Sequence, residues 1–273
     1  MNTMQDKRVL VTGSGTGIGR GIALAFAQAG AAVAVHYSHS SKGAEGTVAE
    51  IVDGGGKAAA FKADFSEIEP LQQMAREATA FLGGLDVLVN CAGITMNQPI
   101  DKTTAEQFDL LYAVNVRAPY FLCQALLPEL EKSRGVILNI SSIHAYEGFT
   151  EHSVYAGTRG AIVAFTRQLA IELAPRGVRV AGIAPGSVRV ENQEKLFGPD
   201  FNWQDAGRGI PAGFVAEPAD IGNAAVFMAS DAGRYIVGQT LIMDGGTTSW
   251  MPFGEQFKEP FAGRFGQGYV PGV

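Results

Sequence analysis

Thr12–Gly19 reads TGSGTGIG, at the end of an apolar run, Arg8–Thr12 (RVLVT), and at the head of a helical pattern from Ile18 to Ala29. Glycines in a strand-to-helix turn let the main chain come close to a bound group. The helix behind them offers free N–H groups and its positive dipole end. A diphosphate suits that combination. The spacing is Gly-x-x-x-Gly-x-Gly on Gly13, Gly17 and Gly19, because position 18 is Ile. A lone glycine triplet also serves ordinary turns, so its place between strand and helix carries the reading.

Outward from this turn the same unit repeats. Ala32–Tyr37, Ala58–Lys62, Asp86–Asn90, Gly135–Ser141, Val178–Ala184 and Thr240–Asp244 read as further strands, rich in Val, Ile, Leu and Ala. Helical patterns fill 18–29, 42–53, 67–82, 104–131, 153–174 and 218–230. Strands apolar on both faces and alternating with helices predict an α/β fold, a doubly wound parallel sheet of seven strands in a single domain. No Pro/Ser linker or charge block divides the chain.

Composition narrows the classes of function. The chain has 273 residues, 47% hydrophobic and 18% charged, enough apolar material for a large core. Its 35 glycines are an excess that the turn above explains only in part. A net charge of −6 argues against a nucleic-acid partner. Cys91 and Cys123 are too far apart for a disulfide framework or a metal motif, and four histidines form no metal-ligand pattern. The polar start Met1–Lys7 lacks a leader's apolar core, and no run of about 18 apolar residues is present. The expectation is a cytoplasmic protein with no membrane partner and no metal.

Further motifs fall in order, and with TGxxxGIG they carry a resemblance. Asn90–Gly93 (NCAG) stands after the fourth strand, Ser142 and Tyr155 are 13 apart, and Pro185-Gly186 follows the sixth strand. Across about residues 5–247 the chain resembles the short-chain dehydrogenase/reductases. The resemblance implies a Rossmann fold and hydride transfer between a nicotinamide dinucleotide and a ketone or secondary alcohol. It implies cofactor contacts at Gly13, Gly17, Ile18, Gly19, Asp64, Phe65, Asn90, Ala92, Gly93, Tyr155, residue 159, Pro185, Gly186 and Val188. In that family the Tyr is the acid/base, the Ser hydrogen-bonds the substrate oxygen, and a helix-kinking Asn (Asn115 here) holds a water in a proton relay. Substrates such as 3-oxoacyl thioesters, sugars or polyols are expected, as is a homotetramer.

Three departures matter. NCAG has Cys91 where the family has a second Asn. Val190 replaces a frequent Thr that contacts the nicotinamide, and Gly182 a frequent Asn. Above all, Tyr155-Ala-Gly-Thr-Arg159 puts Arg at the position of the family's Lys. A phenol is a poor base at neutral pH without a cation beside it. A unit charge about 5 Å away at an effective dielectric of about 20 is worth roughly 3 kcal/mol, and Arg supplies it as Lys does. Arg holds its proton at any ordinary pH, however, so a relay through that side chain fails. Asn115, Ser142, Tyr155 and Arg159 are therefore the catalytic candidates. A degenerate relative that binds nucleotide with little turnover is the rival reading.

Charge at the end of the second strand selects the dinucleotide. His36–Lys42 (HYSHSSK) has no carboxylate before Glu45. A 2′-phosphate can be met there by Ser38 and neighbouring serines, by Lys42 and by Arg20, beside Tyr37, which favours NADP over NAD. His144 and His152 flank the Ser–Tyr segment and are read either as substrate contacts or as structural hydrogen-bonders. Two stretches break the pattern: Gly186–Glu217, a long connection, and 248–273, a tail with Trp250, Phe253, Phe257, Phe261, Phe265 and Tyr269. The tail is expected to pack on the domain or on a neighbouring subunit and to help shape the substrate pocket.

Overall fold

A computed structural model describes residues 3–191, 198 and 200–250. The tail beyond Trp250, with the expectation that its aromatics pack on the domain or a neighbour, lies outside the described residues, as do 192–197 (Phe197 among them) and 199 of the loop after the sixth strand. Strands β1 (Arg8–Val11), β2 (Ala32–Tyr37), β3 (Ala58–Lys62), β4 (Val87–Asn90), β5 (Val136–Ile140), β6 (Arg179–Pro185) and β7 (Thr240–Met243) form one sheet in the order β3-β2-β1-β4-β5-β6-β7. Every pairing is parallel. The order reverses direction between β1 and β4, and a doubly wound sheet opens its crevice at that point.

Helices cover both faces. Residues alternate along β1, so Val9 and Val11 join α1 (Gly17–Gln28) and α8 (Pro218–Ala229) on one side through Ile22, Phe26, Ile221 and Met228. Leu10 faces the other layer, where α3 (Ile68–Leu82), α5 (Ala118–Ser133) and α6 (Ser153–Leu173) contribute Leu71, Met74, Leu122, Leu126, Leu130 and Leu173. The period of two places one strand in both cores. Two glycines let α1 and α8 cross closely: a Cβ on Gly21 would lie 2.5 Å from Pro218 Cβ, and one on Gly222 2.6 Å from the Gly21 carbonyl.

Two expectations change in detail. The helix read over 104–131 is α4 (Ala105–Tyr112), a five-residue π turn (Ala113–Arg117) and then α5. Asn115 lies within the π turn, a local widening of the kind that bends helices. The whole stretch Ala105–Ser133 is long and apolar enough to cross a membrane by length and composition, but α5 lays Leu122, Leu126 and Leu130 into the core. The connection after β6 also contains a short helix, α7 (Trp203–Gly207), capped by Asn202, whose side chain accepts from the Gln204 and Asp205 N–H groups. Five residues are too few for a periodic signal. α2 (Ser41–Asp53) completes the β2–β3 crossover.

Candidate active site

The crevice is a cleft of about 770 Å³ running over the carboxyl ends of β2, β1, β4 and β5. Its floor is the glycine turn. Gly13 and Gly17 adopt φ of +66° and +55°, and a Cβ on Gly13 would meet Ala92 Cα at 2.8 Å. At Gly19 a Cβ would lie 2.3 Å from the Gly13 carbonyl oxygen. Glycine is therefore required by conformation and space at Gly13, by conformation at Gly17 and by space at Gly19. Thr12 locks the turn across the switch point: its hydroxyl accepts from the N–H groups of Cys91 and Ala92, both at 2.9 Å, and donates to the Val89 carbonyl at 3.2 Å.

His36 supports the turn from below. Its Nδ1 accepts from the Gly13 N–H at 3.0 Å, so Nε2 carries the proton and donates to the Ala63 carbonyl at 3.2 Å. The ring stacks on Phe65 with centroids 4.0 Å apart. Burial holds its pKa down at about 4, against the pull of the Ala63 contact, so the imidazole is neutral. Sequence reading noted His36 only as part of the second strand.

α1 starts with no acid in its first turn and no side-chain cap on Thr16. The Gly17 N–H instead donates to the Glu191 carboxylate at 2.8 Å, and Glu191 and Val190 line the cleft there. Glu191 was missed because the loop after β6 has no periodicity, and nothing local links it to a turn 174 residues earlier.

Tyr37, Ser38, His39, Ser40, Asp64, Phe65 and Ser66 line the far end of the cleft. The Asp64 carboxylate accepts from the Ser66 N–H at 2.9 Å, and its bonds to Ser66 hold it below the usual carboxylate range. The cations expected here do not line the cleft. Lys42 is exposed on the first turn of α2. Arg20 lies on α1 and pairs with Glu50 at 2.5 Å and with the Thr47 hydroxyl at 3.3 Å. Both helices flank the turn, which spacing alone does not show.

Four more of the residues expected at the cofactor make bonds within the fold. Asn90 is buried and donates to the Asn139 side chain at 2.8 Å and to Cys123 Sγ at 3.4 Å, a network that continues from Asn139 to the Thr166 hydroxyl. Pro185 pairs with Met243 in the sheet, and the Gly186 N–H donates to the Met243 carbonyl at 2.8 Å. Val188 is buried in the core and bridges to Ala216. None of the four lines the cleft. Ile18, Ala92 and Gly93 do.

At the catalytic end Tyr155 and Arg159 share the first turns of α6 and both line the cleft. The guanidinium carbon lies 4.8 Å from the phenol ring centroid. Arg159 is only 7% exposed; Nη1 donates to the Ile140 carbonyl at 3.3 Å, while its buried Nε has no partner. A Cβ on Gly93 would meet Nη2 at 2.3 Å, so Gly93 makes room for the fork. Burial pushes the neighbouring Cys91 thiol up to about 12, which removes it as a nucleophile.

Ser142 is buried at the end of β5, and its hydroxyl accepts from the His144 N–H at 3.2 Å. Ser141 lines the cleft and donates to the Arg159 carbonyl at 2.9 Å. The Asn115 side chain is spent on structure. It exchanges two 2.9 Å hydrogen bonds with the main chain of Ile94 and donates to the Thr158 hydroxyl at 3.1 Å. It ties the loop after β4 to α6, and so acts as a positioning residue.

An aromatic ledge borders Tyr155. His144 and His152 stack at 4.8 Å, and each meets the Tyr155 ring edge-on, at 5.8 and 6.2 Å. Phe149 packs on both histidines. Burial chiefly, then His152, lowers the pKa of His144. The glycine cradle, the helix N-terminus behind it and the unpartnered Arg159 Nε together fit a nicotinamide dinucleotide laid from Asp64 to Tyr155.

Known proteins match this arrangement. A family model described as enoyl-(acyl carrier protein) reductase covers residues 13–248. The 3β-hydroxysteroid dehydrogenase 1 of Eggerthella lenta is 35% identical over 268 residues, 97% of this chain and 98% of its own. Versicolorin reductase 1 of Dothistroma septosporum is 33% identical over 253 residues, 89% of this chain and 96% of its own. A short-chain dehydrogenase from Burkholderia cenocepacia, solved in complex with NADP, superposes with a TM-score of 0.83 at 33% identity, over 90% of this chain and 99% of that one.

Proposed function

The chain belongs to the short-chain dehydrogenase/reductase family and is a nicotinamide-dependent oxidoreductase acting on a ketone/secondary-alcohol pair, and from that premise we propose that it interconverts a ring ketone and its alcohol with NADP(H). The aromatic ledge beside Tyr155 carries this reading of the substrate. Four rings, His144, Phe149, His152 and Tyr155, make a surface on which a flat or fused ring system stacks. A relative that acts on a hydroxysteroid supports the same class. NADP(H) is favoured over NAD(H) by the serine hydroxyls of Ser38 and Ser40 and by His39, with no carboxylate between His36 and Lys42 to repel a 2′-phosphate.

Bound in the cleft, the nicotinamide supplies or accepts the hydride. Tyr155 gives a proton to the substrate oxygen in reduction and takes it in oxidation. Arg159 stabilises the phenolate electrostatically, and its unpartnered Nε offers a donor to the ribose hydroxyls. Ser142 donates its hydroxyl to the substrate oxygen while accepting from the His144 N–H. Asn115 keeps the loop after β4 in register with α6.

The assembly we assign is a cytoplasmic homotetramer. Its support is the exposed apolar side chains on α4, α5 and α6 (Phe108, Tyr120 and Ile171) and on α8 and β7 (Phe227 and Leu241), which subunit contacts would cover. A chain with two interfaces of the isologous kind closes into a tetramer. Turnover of cyclic ketones with NADPH, followed at 340 nm, tests the function. Tyr155→Phe should lower kcat by about 10²–10⁴-fold while dinucleotide affinity holds. Wild-type turnover in that variant would remove Tyr155 from the reaction.

A further inference from the structure

Tyr155 must regain, or shed, one proton in every turnover, and its buried neighbours cannot serve. Arg159 lies closest, and a guanidinium keeps its proton across the pH range proteins tolerate. The Cys91 thiol is held protonated by burial. Thr158 donates its hydroxyl to the Tyr155 carbonyl at 2.7 Å, and both arms of the Asn115 amide are engaged.

His144 and His152 differ from all of these. Both sit edge-on to the phenol and both are partly exposed, and an imidazole is the side chain suited to passing a proton near neutral pH. The Thr150 carbonyl, 2.7 Å from His152 Nδ1, can only accept, so Nδ1 carries a proton and Nε2 of the neutral ring is left to accept one. His152 leads outward to the exposed turn of residues 147–151. Hydrogen-bonding of the His144 N–H to Ser142 fixes the start of this segment against the reacting end of the cleft.

We propose that His144, with His152 behind it, carries the proton between Tyr155 and solvent, along the substrate side of the cleft and not through the buried cation. The proposal rests on the assignment of Tyr155 as the acid/base. In ketone reduction the Tyr155 O–H bond breaks as an O–H bond forms on the substrate. Protonated His144 then breaks an N–H bond and restores the phenol, directly or through one water. His144 recovers its proton from solvent by way of His152, and alcohol oxidation runs the same steps backwards. The hydride's electrons stay with substrate and dinucleotide; only a proton passes the histidines.

The groups facing His144 are His152, Tyr155 and Arg159, all on α6 or at its start, and the Glu147 main chain on its own turn. The first of these and Arg159 disfavour its charge, as burial does; the Glu147 contact acts the other way. Proton supply for reduction therefore falls as pH rises through a value below the usual imidazole range, and oxidation gains over the same span.

His144→Asn, His152→Asn and Tyr155→Phe, each in the full chain, test the shuttle. The expected result for His144→Asn is a kcat about tenfold or more lower, with dinucleotide affinity by fluorescence titration within about twofold of wild type. The fall in reduction rate with rising pH through that value should vanish, and added imidazole should restore rate in proportion to its concentration. His152→Asn should show a smaller loss in the same direction. In the free protein, the His144 ring proton resonance should titrate below pH 6.5 and shift in Tyr155→Phe. An unchanged rate and pH profile in His144→Asn, with Tyr155→Phe inactive, overturns the shuttle but leaves the assignment of Tyr155 intact. A loss that imidazole cannot rescue also overturns it, marking His144 as structural. An active Tyr155→Phe overturns both.

Discussion

At the glycine turn the cleft is lined by main chain, and at the Tyr155 end by side chains. Between β1 and α1 the contacts open to a ligand are N–H groups, and the side chains there are absent or turned to support. Thr12 pins β1 to β4, and His36 braces Gly13 from beneath. Between β5 and α6 the reverse holds: a phenol and a buried guanidinium line the cleft, with two imidazoles packed beside the phenol. A main-chain site tolerates substitutions around it as long as backbone shape survives. A side-chain site allows Arg for Lys if charge is what the position supplies, but then shifts other work, here proton transfer, to new residues.

The brace beneath the glycine turn offers the largest break in this comparison. Holding His36 neutral at about 4, against 6.5 when exposed, links folding to pH by roughly 3 kcal/mol. The unfolded chain protonates His36 below 6.5 while the native one does not. Stability is therefore complete above that pH, is lost as pH falls towards about 4, and levels off below it. Urea denaturation between pH 7 and 4.5 should show this fall in the wild type. His36→Asn should start about 1–3 kcal/mol less stable and fall less steeply. Parallel pH curves for the two proteins would show that His36 is not the linked group.

Much of the fold was readable because parallel strands buried on both faces are short apolar runs, and here each sits within a residue or so of its expected place. Gly13, Gly17 and Gly19 were readable for a related reason: main-chain shape leaves its mark in local sequence. Lys42 and Arg20 were misplaced because a helix carries a side chain around its axis, and only packing decides which way it faces. Asn90 and Asn115 sit in the expected motif positions yet spend their side chains on Asn139, Ile94 and Thr158. Motif spacing locates a residue; it does not say which of its neighbours the side chain bonds. Glu191 was invisible, since its partner is brought to it only by the closed sheet.

A smaller effect tests whether the turn is a main-chain device. Alanine at Gly19 puts a Cβ 2.3 Å from the Gly13 carbonyl, a backbone atom that cannot step aside. The overpacking cost of about 1–3 kcal/mol should weaken dinucleotide binding about ten- to a hundredfold. Gly46, helical in α2 with nothing within 4 Å of an added Cβ, is the control. Alanine there should leave binding unchanged and raise stability by about 0.5–1 kcal/mol. Equal effects at both positions would mean that helix propensity, not cradle shape, governs the response.

The smallest effect joins the two ends. Glu191, from the loop after β6, holds its carboxylate 2.8 Å from the Gly17 N–H, at the helix end where a diphosphate would be received. Two anions compete for one N–H, so a diphosphate binding there displaces the Glu191 carboxylate. Removing the charge while keeping the shape isolates this competition. Glu191→Gln still offers an oxygen to Gly17 but no longer repels a diphosphate. Repulsion between charges about 5 Å apart in a well-solvated cleft is worth about 1 kcal/mol. NADP+ should bind about fivefold more tightly to the variant in calorimetry, and the gain should shrink as salt screens the charge. Weaker binding would instead mean that Glu191 assists the dinucleotide, and that the two ends of the cleft cooperate where the geometry has them compete.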